Sequence, residues 1–376
     1  MELQQHICII GAGPAGFALA ADLISQGKQV LVYSHPTHMR QASAVIRNGG
    51  LEISGAMQGF VRIPITTNMA EALAFSQVAF LTVPSTGQET ILQEMERYDL
   101  RHHTLIAIPG NLLSLVKNAS MEVGNILETN LSPYSCRMDG GRLHVLGRKK
   151  RVMIAALHNN HEQGAAAAAA TTQFRDAVQD LFPAGVALQW CHNVVEACLA
   201  NINGVFHPIM MLMNAGRIES TGGDFLLYRD GLTPAVARTM LAIDGVRVAI
   251  GKALSLLVPS TLDVSNACYE QDFATLVTLA EHSPPHNRLR APAEFAAHRN
   301  ISEDVPDLLV PWCALAEALG IDASPIAAVI LLAEMSTGVN FMETGRNLKK
   351  LKLDTLTRGE LVAKFSPPLA RYESRL

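Results

Sequence analysis

This sequence lacks an overall charge excess of the kind that suggests a nucleic-acid groove or a polybasic membrane patch. Lys plus Arg total 30 against 34 Asp plus Glu, a formal net charge of -4 spread over both signs. A small-molecule partner fits better. Paired cysteine spacing is also missing: Cys8, Cys136, Cys191, Cys198, Cys268 and Cys313 are scattered, which excludes a CxxC redox motif or a thiolate zinc site and makes reduced thiols the default. His158 and His161, in HisAsnAsnHis, are a lone pair of imidazoles, which rarely holds a metal, and read as a solvated loop, so no metal is expected. The start, MELQQHICIIGAG, lacks the basic region of a signal peptide, and its apolar run turns into glycine too early. Apolar runs such as SPIAAVILLAEM fall short of the roughly 20 residues that span a bilayer. Together these absences read as a cytoplasmic protein with buried helices.

What is present begins with length. At 376 residues the chain exceeds the size at which one core stops growing, so two domains are expected. His6 to Ile10 is a short apolar run, followed by GAGPAG, the helical pattern FALAADLISQG and a second run, QVLVYS. Strand, GxGxxG turn, helix and strand in that order point to a dinucleotide site. Gly11 permits the tight bend, Gly13 lets the backbone approach a pyrophosphate, and Gly16 lets helix and strand pack closely. The ribose-reading position at the end of the second strand holds Ser34, with His35 and Arg40 following, where an Asp or Glu would select NAD. A hydroxyl and a guanidinium there favour NADP(H) over NAD(H), with an exposed loop charge as the competing reading of Arg40.

VAFLTVPS and TLIAIPG read as further strands buried on both faces. Ligands bind outside such strand ends, which puts Pro84 and Asn111 where a nicotinamide ring and its ribose rest, with Asn111 also within reach of substrate. GAAAAAATTQFRDAVQDLF is helical by propensity, and VALQW reads as a last strand. The switch to long 3.6-period patterns near Trp190 sets the boundary: residues 1–190 form an α/β nucleotide-binding domain and 191–376 an all-α domain. ThrPro at 233–234 and SerPro at 324–325 read as an N-cap followed by a proline at the first helical position.

Within the helical half, LANINGVFHPIMMLMNAGRIES (199–220) reads as one buried helix interrupted by Asn203, His207 and Asn214, which fall on one face at about 100° per residue. Pro208 deprives the Gly204 carbonyl of its helical partner, predicting a kink or break beside the imidazole. A histidine there suits proton exchange near neutrality, and a carboxylate must hold its tautomer. Spacing alone does not say which carboxylate.

The GxGxxG start, SPYSCR (132–137), LANINGVFHPIMMLMNAGRIES, RDGLTPAV (229–236), VPS before Tyr269, RNISEDV (299–305) and GRNLKKLKL (345–353) occur in the same order in the opine dehydrogenases, which the chain resembles over nearly its whole length. The resemblance implies an N-terminal Rossmann domain joined to a C-terminal helical domain, with the active site in the cleft between them. It also implies the reaction: an amino-acid amine adds to the carbonyl of a 2-oxo acid such as pyruvate, water leaves, and hydride from NAD(P)H reduces the imine. It places the catalytic histidine at His207, its aspartate at Asp304 and a substrate-carboxylate arginine at Arg299. Asn203 orients substrate or the nicotinamide carboxamide, or else bonds a freed backbone carbonyl. Asn214 and Arg217 are expected to be structural, and Arg137 to form an ion pair or line the cleft.

Two other readings compete. A ketopantoate-reductase-like or 2-hydroxy-acid dehydrogenase shares the two-domain plan but reduces a carbonyl without an amine, and a non-catalytic NADP-sensing protein keeps the fold without turnover. Small molecules are the expected partners in each case, with neither nucleic acid nor membrane, and a homodimer is compatible with all three.

Overall fold

The computed structural model describes residues 6–156 and 165–367, so the His158–His161 pair lies outside the described residues. The chain divides into two compact units, Met1–Trp190 and Cys191–Leu376.

In the first unit the strands among the described residues are β1 (His6–Ile10), β2 (Gln29–Tyr33), β3 (Leu51–Gly55), β4 (Gly59–Val61), β5 (Ile65–Thr66), β6 (Val78–Leu81), β7 (Leu100–Ala107), β8 (Val123–Thr129), β9 (Tyr134–Asp139), β10 (Arg142–Arg148), β11 (Arg151–Ala156) and β12 (Ala187–Trp190). The helices are α1 (Pro14–Ser25), α2 (Arg40–Arg47), α3 (Met69–Phe75), α4 (Ser85–Met95), α5 (Leu113–Val116) and α6 (Ala165–Gln179). The main sheet runs β12-β11-β8-β7-β6-β1-β2-β5. From β5 to β8 its pairs are parallel, in the 3-2-1-4-5-6 order of a dinucleotide-binding sheet whose switch point lies between β1 and β6. Alternate residues of β1 explain its unbroken apolar run. Ile7 and Ile9 join the cluster that includes Phe17, Val32 and Phe80, while Cys8 and Ile10 join Tyr33, Leu81 and Leu105 on the other face.

A second sheet, β4-β3-β10-β9, is an element the sequence patterns did not suggest. Its β9–β10 hairpin turns through Gly140 and Gly141, both at positive φ (53° and 79°), the requirement of a two-residue primed turn. Asp22 on α1 ties this hairpin down: the Tyr134 hydroxyl donates to it at 2.7 Å, and Arg148 pairs with it at 2.9 Å.

The second unit is helical. It opens with α7 (Val194–Leu199), α8 (Asn203–Met213), α9 (Ala215–Thr221), α10 (Leu227–Gly231) and α11 (Pro234–Ala253), and continues through shorter helices to Arg358–Phe365. The stretch Val194–Met213, α7 and α8 together, is long and apolar enough to cross a membrane by length and composition, and 89% of its apolar window is buried inside the protein. It is the core of this unit.

Two expectations about this stretch are corrected. Residues 199–220 form three helices, with breaks at 200–202 and at Asn214, so Asn214 caps the end of α8 and does not extend the His207 face. Of the kink or break read at Pro208, the break is absent: α8 runs through the proline. An interior proline costs about 3 kcal/mol. Burial of Val205, Phe206, Ile209, Met210 and Met211, each contributing about 1.5–3 kcal/mol, outweighs that cost. Thr233 caps α11 as read, its hydroxyl accepting from the Val236 amide, but Ser324 is already the first helical residue and the Asp322 carboxylate accepts its amide.

Candidate active site

Gly11 follows β1 at φ 128°, and its amide donates to the Tyr33 carbonyl, which links the ends of β1 and β2. Thr82, just past β6, donates its hydroxyl to the Gly11 carbonyl at 3.0 Å. A Cβ on Gly16 would collide with that same Gly11 carbonyl and with the Thr82 hydroxyl, whereas one on Gly13 would meet nothing within 4 Å. The three glycines therefore divide the work: two close the turn and one leaves open space at the N-terminus of α1, which no side chain caps. That cradle fits a pyrophosphate. Gly16→Ala should weaken cofactor affinity and lower the stability of the first unit by about 1–3 kcal/mol, because backbone must move to make room. Cofactor titration and thermal unfolding of the variant check this; unchanged affinity would show that the turn tolerates the methyl group.

Ser34 is buried at the end of β2, its amide donating to the Thr66 carbonyl and its hydroxyl directed at the His38 carbonyl, 3.4 Å away. Arg40, by contrast, is exposed in the first turn of α2. Pro84 is the exposed N-cap of α4. Asn111 is buried after β7 at φ 54°, and its amide donates to the Ser85 hydroxyl at 3.4 Å, bridging the ends of β6 and β7. The sequence reading missed what holds this loop. The buried Glu128 carboxylate on β8 accepts from the Leu113 and Ser114 amides and from the Ser114 hydroxyl. Tyr33 and Tyr134 are held above the usual phenol range, chiefly by burial and further by the carboxylates of Glu94 and Asp22, so neither exchanges a proton near neutrality.

The second unit brings together the residues named for proton transfer. His207, half-buried on α8, places Nδ1 2.6 Å from the Oδ2 of Asp304, which is only 2% exposed. Two elements 97 residues apart thus converge on one contact. With Nδ1–H donating to the carboxylate, Nε2 is the ring atom left to meet a ligand. Arg299 opens the short helix Arg299–Ser302, with its side chain 52% exposed and its Nε 2.9 Å from the buried Glu303 carboxylate, a partner visible in sequence as an i,i+4 pair. Asn203 is partly buried at the start of α8, where its amide donates to Asn201, and among the described residues its side chain forms no hydrogen bond, so the alternative role of bonding a backbone carbonyl is not realised. Asn214 donates to the Met210 and Gly231 carbonyls, and Arg217 bonds the Asp230 carbonyl beneath the Phe225 ring, both structural as expected. Arg137 is exposed on β9 and bonds the Cys136 carbonyl. No group of three or more candidate metal ligands occurs among the described residues.

Comparison with known proteins shows what the two units resemble. Residues 190–337 match the family described as NAD/NADP octopine/nopaline dehydrogenase, alpha-helical domain, and residues 6–109 match one described as NADP oxidoreductase coenzyme F420-dependent. The vitopine synthase of Allorhizobium ampelinum is 27% identical over 93% of this chain and 96% of its own, and an opine dehydrogenase of an Arthrobacter species is 28% identical over 93% and 95%. In fold, an octopine dehydrogenase solved with NADH and L-arginine superposes with a TM-score of 0.70 at 18% identity, covering 94% of this chain and 98% of that one. A yersinopine dehydrogenase with NADP+ gives 0.69 at 16% identity, covering 97% and 98%. Similarity across both units, joined to the parallel sheet with its glycine cradle and to the His207–Asp304 pair, leads to one conclusion: residues 190–337 form the helical domain of the octopine/nopaline dehydrogenases, and the chain, similar to opine dehydrogenases over 93% of its length, is an NAD(P)-dependent oxidoreductase.

Proposed function

We propose that this enzyme condenses the amine of an L-amino acid with a 2-oxo acid such as pyruvate and reduces the product to a secondary amine dicarboxylate. The observation that carries this reading is the 2.6 Å contact between His207 and a nearly inaccessible carboxylate, a pair built to hold and release one proton. Protonated His207 donates from Nε2 to the carbonyl oxygen as the amine adds, takes back the proton that the newly bonded ammonium nitrogen sheds, and gives it to the carbinolamine hydroxyl as that leaves as water. Asp304 stabilises the imidazolium and fixes the ring orientation. Arg299, anchored through Glu303, offers a planar fork matched to a substrate carboxylate, and Asn203 on the face of His207 orients the substrate. The nicotinamide cofactor supplies the hydride; Gly11, Gly13 and Gly16 hold its pyrophosphate, with Pro84 and Asn111 at the neighbouring strand ends.

Preference for NADP(H) is supported by the absence of a carboxylate at residue 34 and by the exposed guanidinium of Arg40 at the start of α2. The buried Ser34 hydroxyl contributes less than its position in the sequence implies. Arg40→Ala should raise the KM for NADPH about tenfold or more and leave that for NADH unchanged, since a charge-assisted hydrogen bond is worth about 1.5–3 kcal/mol. Equal effects on both cofactors would move the phosphate contact elsewhere. Six cysteines, all of them buried, suit the cytoplasm.

A matrix of amino acids against 2-oxo acids, run with NADPH and NADH and read by absorbance and product mass, tests the reaction. Oxidation that proceeds equally without any amine would instead identify a 2-oxo-acid reductase. Tight cofactor binding with no oxidation by any pair would identify a sensor.

A further inference from the structure

We propose that Arg346 is a positioning residue for this reaction: with Asp307 and the Pro306 carbonyl it braces the turn that aims the Asp304 carboxylate at His207. The inference rests on the reading of His207 as the proton-transfer group.

Asp304 immediately precedes a π-helical turn, Val305–Leu309. Such turns distort the local backbone, recur at functional sites and need outside support to persist. Three buried carboxylates lie within its approach and first residues, and each faces a different cation: Glu303 faces Arg299, Asp304 faces His207, and Asp307 faces Arg346 at 3.4 Å. The guanidinium of the third pair is 1% exposed, and the desolvation that such burial costs is offset only where the charge meets well-placed partners.

What it fixes is the turn itself. The Arg346 amide donates to the Pro306 carbonyl at 2.9 Å. Gly345 lies so close that a Cβ would stand 2.5 Å from the same Pro306 oxygen. The GlyArg step of the GRNLKKLKL motif thus grips the turn by backbone and by side chain, two and three residues beyond Asp304. Any yielding there rotates Asp304 and opens the 2.6 Å contact with the imidazole. Arginine suits this task because its rigid fork sets direction as well as charge, which a lysine ammonium does not.

The test uses the full-length enzyme labelled with 15N-histidine, with the His207 signal assigned by its loss in His207→Gln. In Arg346→Lys the hydrogen-bonded Nδ1 proton of His207 should shift or broaden, and kcat should fall about tenfold while the cofactor KM stays constant, as expected when a catalytic group is slightly misplaced. Asp307→Asn, which keeps the shape and removes the charge, should move the same resonance. An unchanged His207 signal in either folded variant overturns the proposal, whatever happens to stability. Failure of both variants to fold also overturns it, assigning the pair to structure alone. The resonance is read without substrate, so a signal that moves in an enzyme inactive with every amino-acid and oxo-acid pair would refute the proposed reaction and leave the bracing intact.

Discussion

Replacing His207 with alanine should lower turnover by about two orders of magnitude or more, with cofactor affinity retained. General acid catalysis by a positioned side chain typically contributes about 10²–10⁴-fold, so the lower bound corresponds to about 2.7 kcal/mol of transition-state stabilisation. Among the described residues it is the histidine whose ring meets a buried carboxylate at 2.6 Å, and the buried phenols of Tyr33 and Tyr134 cannot substitute near neutrality. Cofactor affinity is retained because the glycine cradle belongs to the other unit. Steady-state rates and NADPH titration of the variant, made in parallel, decide the matter. Wild-type turnover would remove His207 from the chemistry.

The largest loss of stability is expected on α11. Asp244→Ala should cost the second unit about 3–5 kcal/mol, because it leaves a fully buried guanidinium without its counter-charge. Arg247 has no exposed side-chain surface, and it donates to Asp244, to the Leu199 carbonyl that ends α7 and to the Pro259 carbonyl. Asp244 in turn accepts from the amide and hydroxyl of Thr261. Burial pushes the guanidinium down from its ordinary value while Asp244 pulls it back up, as expected where one ion keeps the other charged. The chain has two tryptophans, with Trp312 fully buried in the second unit, so Trp190→Phe leaves a single fluorescent reporter of that unit. Denaturant unfolding followed through it measures the difference. A loss under about 1 kcal/mol would mean that water reaches the guanidinium in the variant.

The parallel sheet was legible in the sequence because strands buried on both faces must be apolar throughout: His6–Ile10 and Gln29–Tyr33 follow from composition and the glycine turn alone. The second sheet was not read, since β3 and β4 are short and partly exposed; its one clear signal, Asp139-Gly140-Gly141, was local. His207 announced itself as a polar group in an apolar helix. Its partner did not, because Asp304 is set by tertiary packing across 97 residues and became nameable only through the family's RNISEDV segment. Of the kink or break read at Pro208, the break is absent for a related reason: local propensity favours interruption, and burial of both flanks keeps the helix continuous. VPS and GRN could be recognised as shared wording, but that they serve buried arginines, one as a carbonyl acceptor and one as the cation itself, emerges only when Arg247 and Arg346 are seen at depth.

All six thiols lie below the surface, and burial lifts those of Cys8 and Cys313 to about 12, far from the thiolate form that attacks alkylating reagents. A single cysteine introduced on an exposed helix face would therefore stand alone as a nucleophile. The native protein thus comes ready for attachment of one dye or spin label, without first stripping out its own sulfur.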